Sequence, residues 1–90
     1  MKRAEYKVLG GKLLAAEAEE SGGTLAKVKL VGDFFMHPEE AIMCLEETLT
    51  GTPLAEIEKR IESFFSERDI TLYGVSPSDF AKVIRLALAS

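Results

Sequence analysis

The sequence predicts an α+β fold: a three-stranded antiparallel meander followed by three helices packed on one face of the sheet, with a short fourth strand allowed near residues 70–74. Three observations predict it. The first third alternates apolar and polar residues and is broken by glycine pairs. The remainder carries apolar residues at three- and four-residue spacing, and each of the three prolines stands where a first helical residue belongs. Ninety residues make one domain, and a chain of this size shields only about two-thirds of the surface its unfolded form exposes.

Tyr6 to Leu9 form the first strand and end at Gly10-Gly11; Lys12 to Glu20 form the second and end at Ser21-Gly22-Gly23; Thr24 to Phe34 form the third. Side-chain parity sets the register. Ala26, Val28 and Leu30 alternate with Lys27 and Lys29 and so face the core, with Leu14, Ala16 and Ala18 as their counterparts. A three-residue Ser21-Gly22-Gly23 loop places Ala16 opposite Val28 and Glu17 opposite Lys27. A two-residue loop is rejected because Glu17 would then oppose Val28. By the same test the first hairpin needs more than a Gly10-Gly11 turn, and Tyr6 and Val8 face inward.

Pro38 opens the first helix, with Ile42, Leu45 and Leu49 on one face and Gly51 as its stop. Pro53, after an N-cap Thr52, opens the second, which turns Leu54, Ile57, Ile61, Phe64 and Phe65 inward. Ser76-Pro77-Ser78-Asp79 has capping-box spacing and starts the third, which bears Phe80, Val83, Ile84, Ala87 and Leu88. Residues 70–74, ITLYG, read as a short strand or an extended connector.

Gly32-Asp33-Phe34-Phe35 holds adjacent aromatics that an extended strand must send to opposite faces. Phe34 continues the inward set; Phe35 joins Leu13, Ala15, Leu25 and Val31 on a mixed outer face open to solvent or a partner. A bulge at Gly32 would instead reset the phase and bring both rings to the edge of the core. The Asp33 carboxylate has two uses, accepting from free amides at the start of the first helix or contacting a second protein.

Composition narrows the function classes. A net charge of −4 with eleven scattered basic residues argues against a phosphate-tracking nucleic-acid module. The start, MKRAEYKVL, lacks a signal peptide's apolar segment and no apolar run is long enough to span a bilayer, so a cytoplasmic location without membrane partners is expected. The single cysteine, Cys44, has no histidine or lysine three or four residues away and reads as a buried structural residue. His37, just before Pro38, reads as a cap or surface residue, and no metal site is expected. The helical glutamates read as solvated faces. Gly10-Gly11-Lys12 lacks the frame of a phosphate loop and reads as a hairpin turn, from which Lys12 could still reach an anion held by a partner. No self-sufficient active site emerges, hence no catalytic residue is assigned and a binding or accessory role remains.

The motif order then resembles a known family. Tyr6-Lys7 followed by Gly10-Gly11-Lys12-Leu13, a glycine-turn hairpin, Gly32-Asp33-Phe34-Phe35, a helix ending at Leu49-Thr50-Gly51 and the late Tyr73-Gly74 look like the C-terminal accessory domain of lipoate-protein ligases over nearly the whole chain. With little else present, the chain resembles the split form, a small subunit beside a larger catalytic one. The resemblance implies that the chain binds no cofactor alone, that the complex uses ATP, Mg and lipoate to make lipoyl-AMP, and that a lipoyl domain is its substrate. It implies a heterodimer, with the lipoate pocket on the large subunit. Lys12, Asp33, Phe34 and Phe35 are the expected partner interface. Two other readings are a sulfur-transfer or iron–sulfur scaffold, disfavoured by the single mid-helix cysteine, and a regulatory domain that self-associates through its apolar sheet face.

Overall fold

In the computed structural model, which describes residues 2–90, three strands form one antiparallel sheet in the order β1 (Lys2–Lys7), β2 (Leu13–Ser21), β3 (Thr24–Gly32). Two short strands, β4 (Phe35–His37) and β5 (Thr71–Tyr73), pair as a separate antiparallel ribbon. The helices are α1 (Ala41–Leu49), α2 (Ile57–Ser66), entered through a 3₁₀ turn at Leu54–Glu56, and α3 (Pro77–Ala89). The α+β meander-then-helices architecture is the one expected, and residues 71–73 do form a strand.

The second hairpin corrects the predicted register. Its turn is the two-residue Gly22-Gly23, with Ser21 opposite Thr24, and a bulge lies where Glu19 pairs with Lys27 but Glu20 pairs with Leu25. The extra residue, Ala26, shifts the pairing by one, so Ala16 opposes Leu30 and Glu17 opposes Lys29. Inward residues still meet inward ones, which was the constraint; the bulge meets it where loop length was expected to. It also turns Leu25, placed on the outer face by simple alternation, into the core, where it is fully buried.

The first hairpin differs in its boundaries. β1 starts four residues earlier than predicted, Tyr6 opposes Leu14, and Val8 to Lys12 form the loop. Tyr6 and Val8 pack against the core as expected.

Two of the three proline assignments shift. The chain turns through Pro38 to Glu40 before α1 begins, and His37 belongs to β4 rather than capping a helix. Pro53 precedes the 3₁₀ turn, bridged to Thr24 at the edge of β3, and Thr52 is fully buried, its backbone carbonyl accepting from the Leu25 amide at 2.8 Å. Here the backbone groups serve the sheet edge first: Gly51 donates to the Leu25 carbonyl and Leu54 to that of Gly23. Glu46 adds to this cover, its carboxylate accepting from the Leu30 amide at 2.7 Å, so it is not a solvated glutamate. The outer edge of β3 is thereby occupied by the chain's own residues. Only α3 starts at its proline, with the Ser76 amide donating to the Asp79 carboxylate at 2.7 Å.

Of the helices, α3 packs over β1 and β2, α1 lies beside β3, and α2 packs against both other helices rather than on a strand, so the expected packing of all three on one sheet face is met directly by α3. Phe80 on α3 is the hub. It is fully buried, meets Phe34 edge-to-face at 5.4 Å and stacks on Phe65 at 5.8 Å. We predict that Phe80→Ala lowers the unfolding free energy by about 3–5 kcal/mol, measured by urea denaturation.

Arg85 on α3 reaches α2 and donates to both carboxylate oxygens of Glu58, at 2.9 and 2.8 Å, and to the Leu54 carbonyl. The guanidinium's hydrogen bonds hold the Glu58 carboxyl below the usual carboxylate range. Because the folded carboxyl ionises more readily than the unfolded one, this pair contributes in full above the ordinary carboxylate value and is lost as pH falls through the lowered folded value. Both side chains are substantially exposed, so the contribution is small. In Arg85→Ala, carbon-13 NMR titration of Glu58 should show its midpoint return upward to the ordinary range.

Candidate functional site

The segments that carried the sequence resemblance converge at one end of the molecule. The loop before β2 is tied to the segment after β5, the Lys12 amide donating to the Gly74 carbonyl at 2.9 Å. A Cβ at Gly11 would collide with that same carbonyl oxygen, and one at Gly74, whose φ is +92°, would collide with the Lys12 side chain. The glycines are therefore required by the close approach of two chain segments, and the aliphatic stem of Lys12 lies across Gly74.

One residue further on, the Leu13 amide donates to the Asp33 carboxylate at 2.8 Å while the Asp33 amide donates to the Leu13 carbonyl at 3.2 Å. Asp33 thus caps the start of β2 and not the start of α1, the first of the two uses the sequence left open for it. Gly32 lets the strands approach: a Cβ there would meet the Leu13 carbonyl oxygen and the Phe34 ring. After this clasp the chain leaves the sheet, so β3 stops at Gly32 and, two residues later, Phe35–His37 form β4.

The two phenylalanines separate. Phe34 points to Phe80 and is half-buried, whereas Phe35, opposite Tyr73 in the β4–β5 ribbon, is 52% exposed with its ring 5.9 Å from the tyrosine ring. Of the two arrangements left open for these rings, the divided one is found. The neighbour of Phe35, Tyr73, is 65% exposed, and Leu9 (98%), Leu13 and Val31 (41% each) are further uncovered apolar residues in or beside the segments that carry these motifs. A shallow hollow of about 240 Å³ is lined by Phe34, Phe35, Met36, Glu39 and Ile42. Lys12 and Asp33 lie at the clasps that hold this surface together.

Sequence reasoning placed Leu13, Val31 and Phe35 among the exposed residues correctly, whereas Ala15, put with them, is buried. It missed Leu9 and Tyr73 as exposed members, and for Tyr73 the missing signal was the pairing of β5 with β4: ITLYG was visible as a possible strand, but its partner, Phe35–His37, was read as the approach to the first helix. A larger, mostly apolar hollow of about 470 Å³ lies between α2 and α3, lined by Ile61, Pro77, Ala81 and Lys82 among others, away from these motifs. Cys44 is exposed on α1, not buried as expected. The buried stripe of that helix is Ala41, Leu45 and Leu49, and Cys44 falls roughly a quarter-turn off it. Among the described residues, no three His, Cys, Asp or Glu side chains gather to hold a metal ion, and no helix is long and apolar enough to cross a membrane.

Comparison with known proteins supports the convergence of these motifs. No family model matches the chain. It is 34% identical over 74 residues to the lipoate-protein ligase A subunit 2 of Thermoplasma acidophilum, covering 82% of this chain and 78% of that protein. The chain belongs to the lipoate-protein ligase A subunit 2 family. A solved structure from the same organism, of a bipartite lipoate protein ligase and its E2 lipoyl domain, contains a chain that superposes with a TM-score of 0.78 at 30% identity, covering 93% of this chain and 91% of that one. The fold of that chain is therefore shared along nearly the whole length of this one.

Removing the Asp33 carboxylate should loosen this end selectively. Asp33→Ala is expected to cost about 1 kcal/mol of stability and to speed hydrogen exchange at the Leu13 amide, while Asp33→Asn, which keeps an acceptor, recovers most of both.

Proposed function

We propose that this chain is the accessory subunit of a two-subunit lipoate-protein ligase, inactive alone, and that it docks on the catalytic subunit through the surface containing Lys12, Asp33, Phe34 and Phe35. The observation that carries this reading is the coincidence of family membership with an exposed aromatic pair, Phe35 and Tyr73, at the end where the resembling motifs are clasped together. Monomeric domains seldom leave clustered aromatics such as Phe35 and Tyr73 to solvent without a partner. Phe35 and Tyr73 act as the anchors, Phe34 braces the strand from beneath, and Asp33 holds its shape.

In the complex, ATP, Mg and lipoate are used by the catalytic subunit to form lipoyl-AMP, whose acyl group then passes to a lysine of a lipoyl domain. Among the described residues, no three His, Cys, Asp or Glu side chains gather to hold the metal. This chain's part is to order the adenylation site and to shield the reactive mixed anhydride from water, both of which lower the barrier by positioning rather than by bond chemistry. Activation thus depends on the subunit more than transfer does. The exposed Cys44 does not favour a persulfide carrier, since it lies mid-helix with no cationic neighbour on its own helix face.

The test is lipoate-dependent pyrophosphate exchange by the matching catalytic subunit, with and without this chain, beside transfer from preformed lipoyl-adenylate. Stimulation chiefly of exchange is expected; no stimulation and no complex would reject the reading. Phe35→Ala, with folding checked by circular dichroism, should weaken association by about 2 kcal/mol or more, measured calorimetrically.

A further inference from the structure

The clasp fixes both the backbone of Lys12 and the course of its stem. Both of its backbone groups are engaged, the amide with the Gly74 carbonyl and the carbonyl accepting from the Val8 amide at 3.1 Å. Its stem rests on the side-chain-free face of Gly74. Arg3, Arg60 and Arg85 have carboxylate partners, and Arg68 and Lys82 lie over aromatic rings. Among the described residues, no carboxylate oxygen lies within ion-pair distance of Lys12. The nearby Asp33 is already engaged with the Leu13 amide.

Lys12 is next to Leu13 in sequence and is clasped to the residue after Tyr73, so it stands within the apolar surface proposed to dock. Docking that surface strips water from the ammonium, and a desolvated cation needs an anion opposite it. This chain supplies none there. We infer that Lys12 is a substrate-contacting residue, a cation held by Gly74 that reaches across the interface to a phosphate of the nucleotide in the partner's adenylation site. The inference rests on the accessory-subunit reading and deepens it. A lysine suits this task because it meets phosphate as a point charge, and a braced stem removes much of the rotamer freedom it would otherwise lose on binding.

The complex of the full chain with its catalytic subunit tests this with two readouts. Affinity of the two subunits is measured calorimetrically with and without MgATP, and pyrophosphate exchange is followed against ATP concentration. For the unmodified chain, MgATP should tighten association by about tenfold, the coupling expected when one ligand contacts both subunits. Because docking on the nucleotide-free partner desolvates the ammonium with no anion opposite it, Lys12→Gln should associate with that partner more tightly than the unmodified chain. The variant should also lose the MgATP gain and lower exchange by at least about tenfold. Lys12→Arg should restore most of both, and Gly74→Ala, if circular dichroism shows it folded, should reproduce the Lys12→Gln defect by displacing the stem.

If Lys12→Gln instead weakens nucleotide-free association as much as it lowers exchange, the counter-ion is a carboxylate of the partner and the inference is overturned. Equal exchange by the variant and the unmodified chain, both stimulating, would also overturn it while leaving the accessory role intact. Failure of the unmodified chain to stimulate would reject the accessory role itself.

Discussion

The reciprocal pairing of Leu13 with Asp33 is the joint on which the organisation of this chain depends. A three-stranded meander would ordinarily continue its last strand until the turn residues ran out. Here the Asp33 carboxylate takes the Leu13 amide and the Leu13 carbonyl takes the Asp33 amide, which closes the ladder and frees the following residues. Because the strand stops there, Phe35 to His37 can pair with Thr71 to Tyr73 in a ribbon of its own. The ribbon then draws Gly74 onto Lys12, a second clasp within one residue of the first. Two side chains, Phe34 and Phe35, are parted by this geometry, one to the hub at Phe80 and one to solvent.

The helical layer is organised around different demands. Phe80 gathers Phe34 from the strand side and Phe65 from α2, so that the clasped end and the helices share one aromatic cluster. On the far side, α1 and the segment after it spend their polar groups on β3: Glu46, Gly51, Thr52 and Leu54 all bond its backbone. A domain this small has little apolar area to spare, and satisfying edge amides with side chains and loop backbone avoids the cost of leaving them unpaired.

The α+β class, the three-helix count, the inward stripes of all three helices and the capping box at Ser76 were legible in periodicity and proline placement. What escaped followed from the chain solving the same constraint in another way. Parity required Ala16 and Glu17 to meet like neighbours across the hairpin, and either a longer loop or a bulge satisfies that; nothing in Glu19-Glu20 or Ala26 announces the bulge. Pro38 and Pro53 suit a helix start and equally suit a turn ahead of one, and the choice lay in contacts with the ribbon and with β3. Of the site, Leu13, Val31 and Phe35 could be read from alternation, whereas Tyr73 and the clasps of Lys12 and Asp33 depend on a pairing between residues far apart in sequence.

The occupied outer edge of β3 has a consequence for the chain at high concentration. Sheet extension by strand addition needs two open edges if it is to propagate, one to receive a neighbour and one to offer to the next. Here Thr24 is bridged to Pro53 and the Leu30 amide is taken by Glu46, while β1 at the other end of the sheet has no strand beyond it. An incoming strand at β3 would have to displace these contacts, so strand addition is favoured at β1, and two copies joined there leave only partly covered β3 edges from which a fibre could continue.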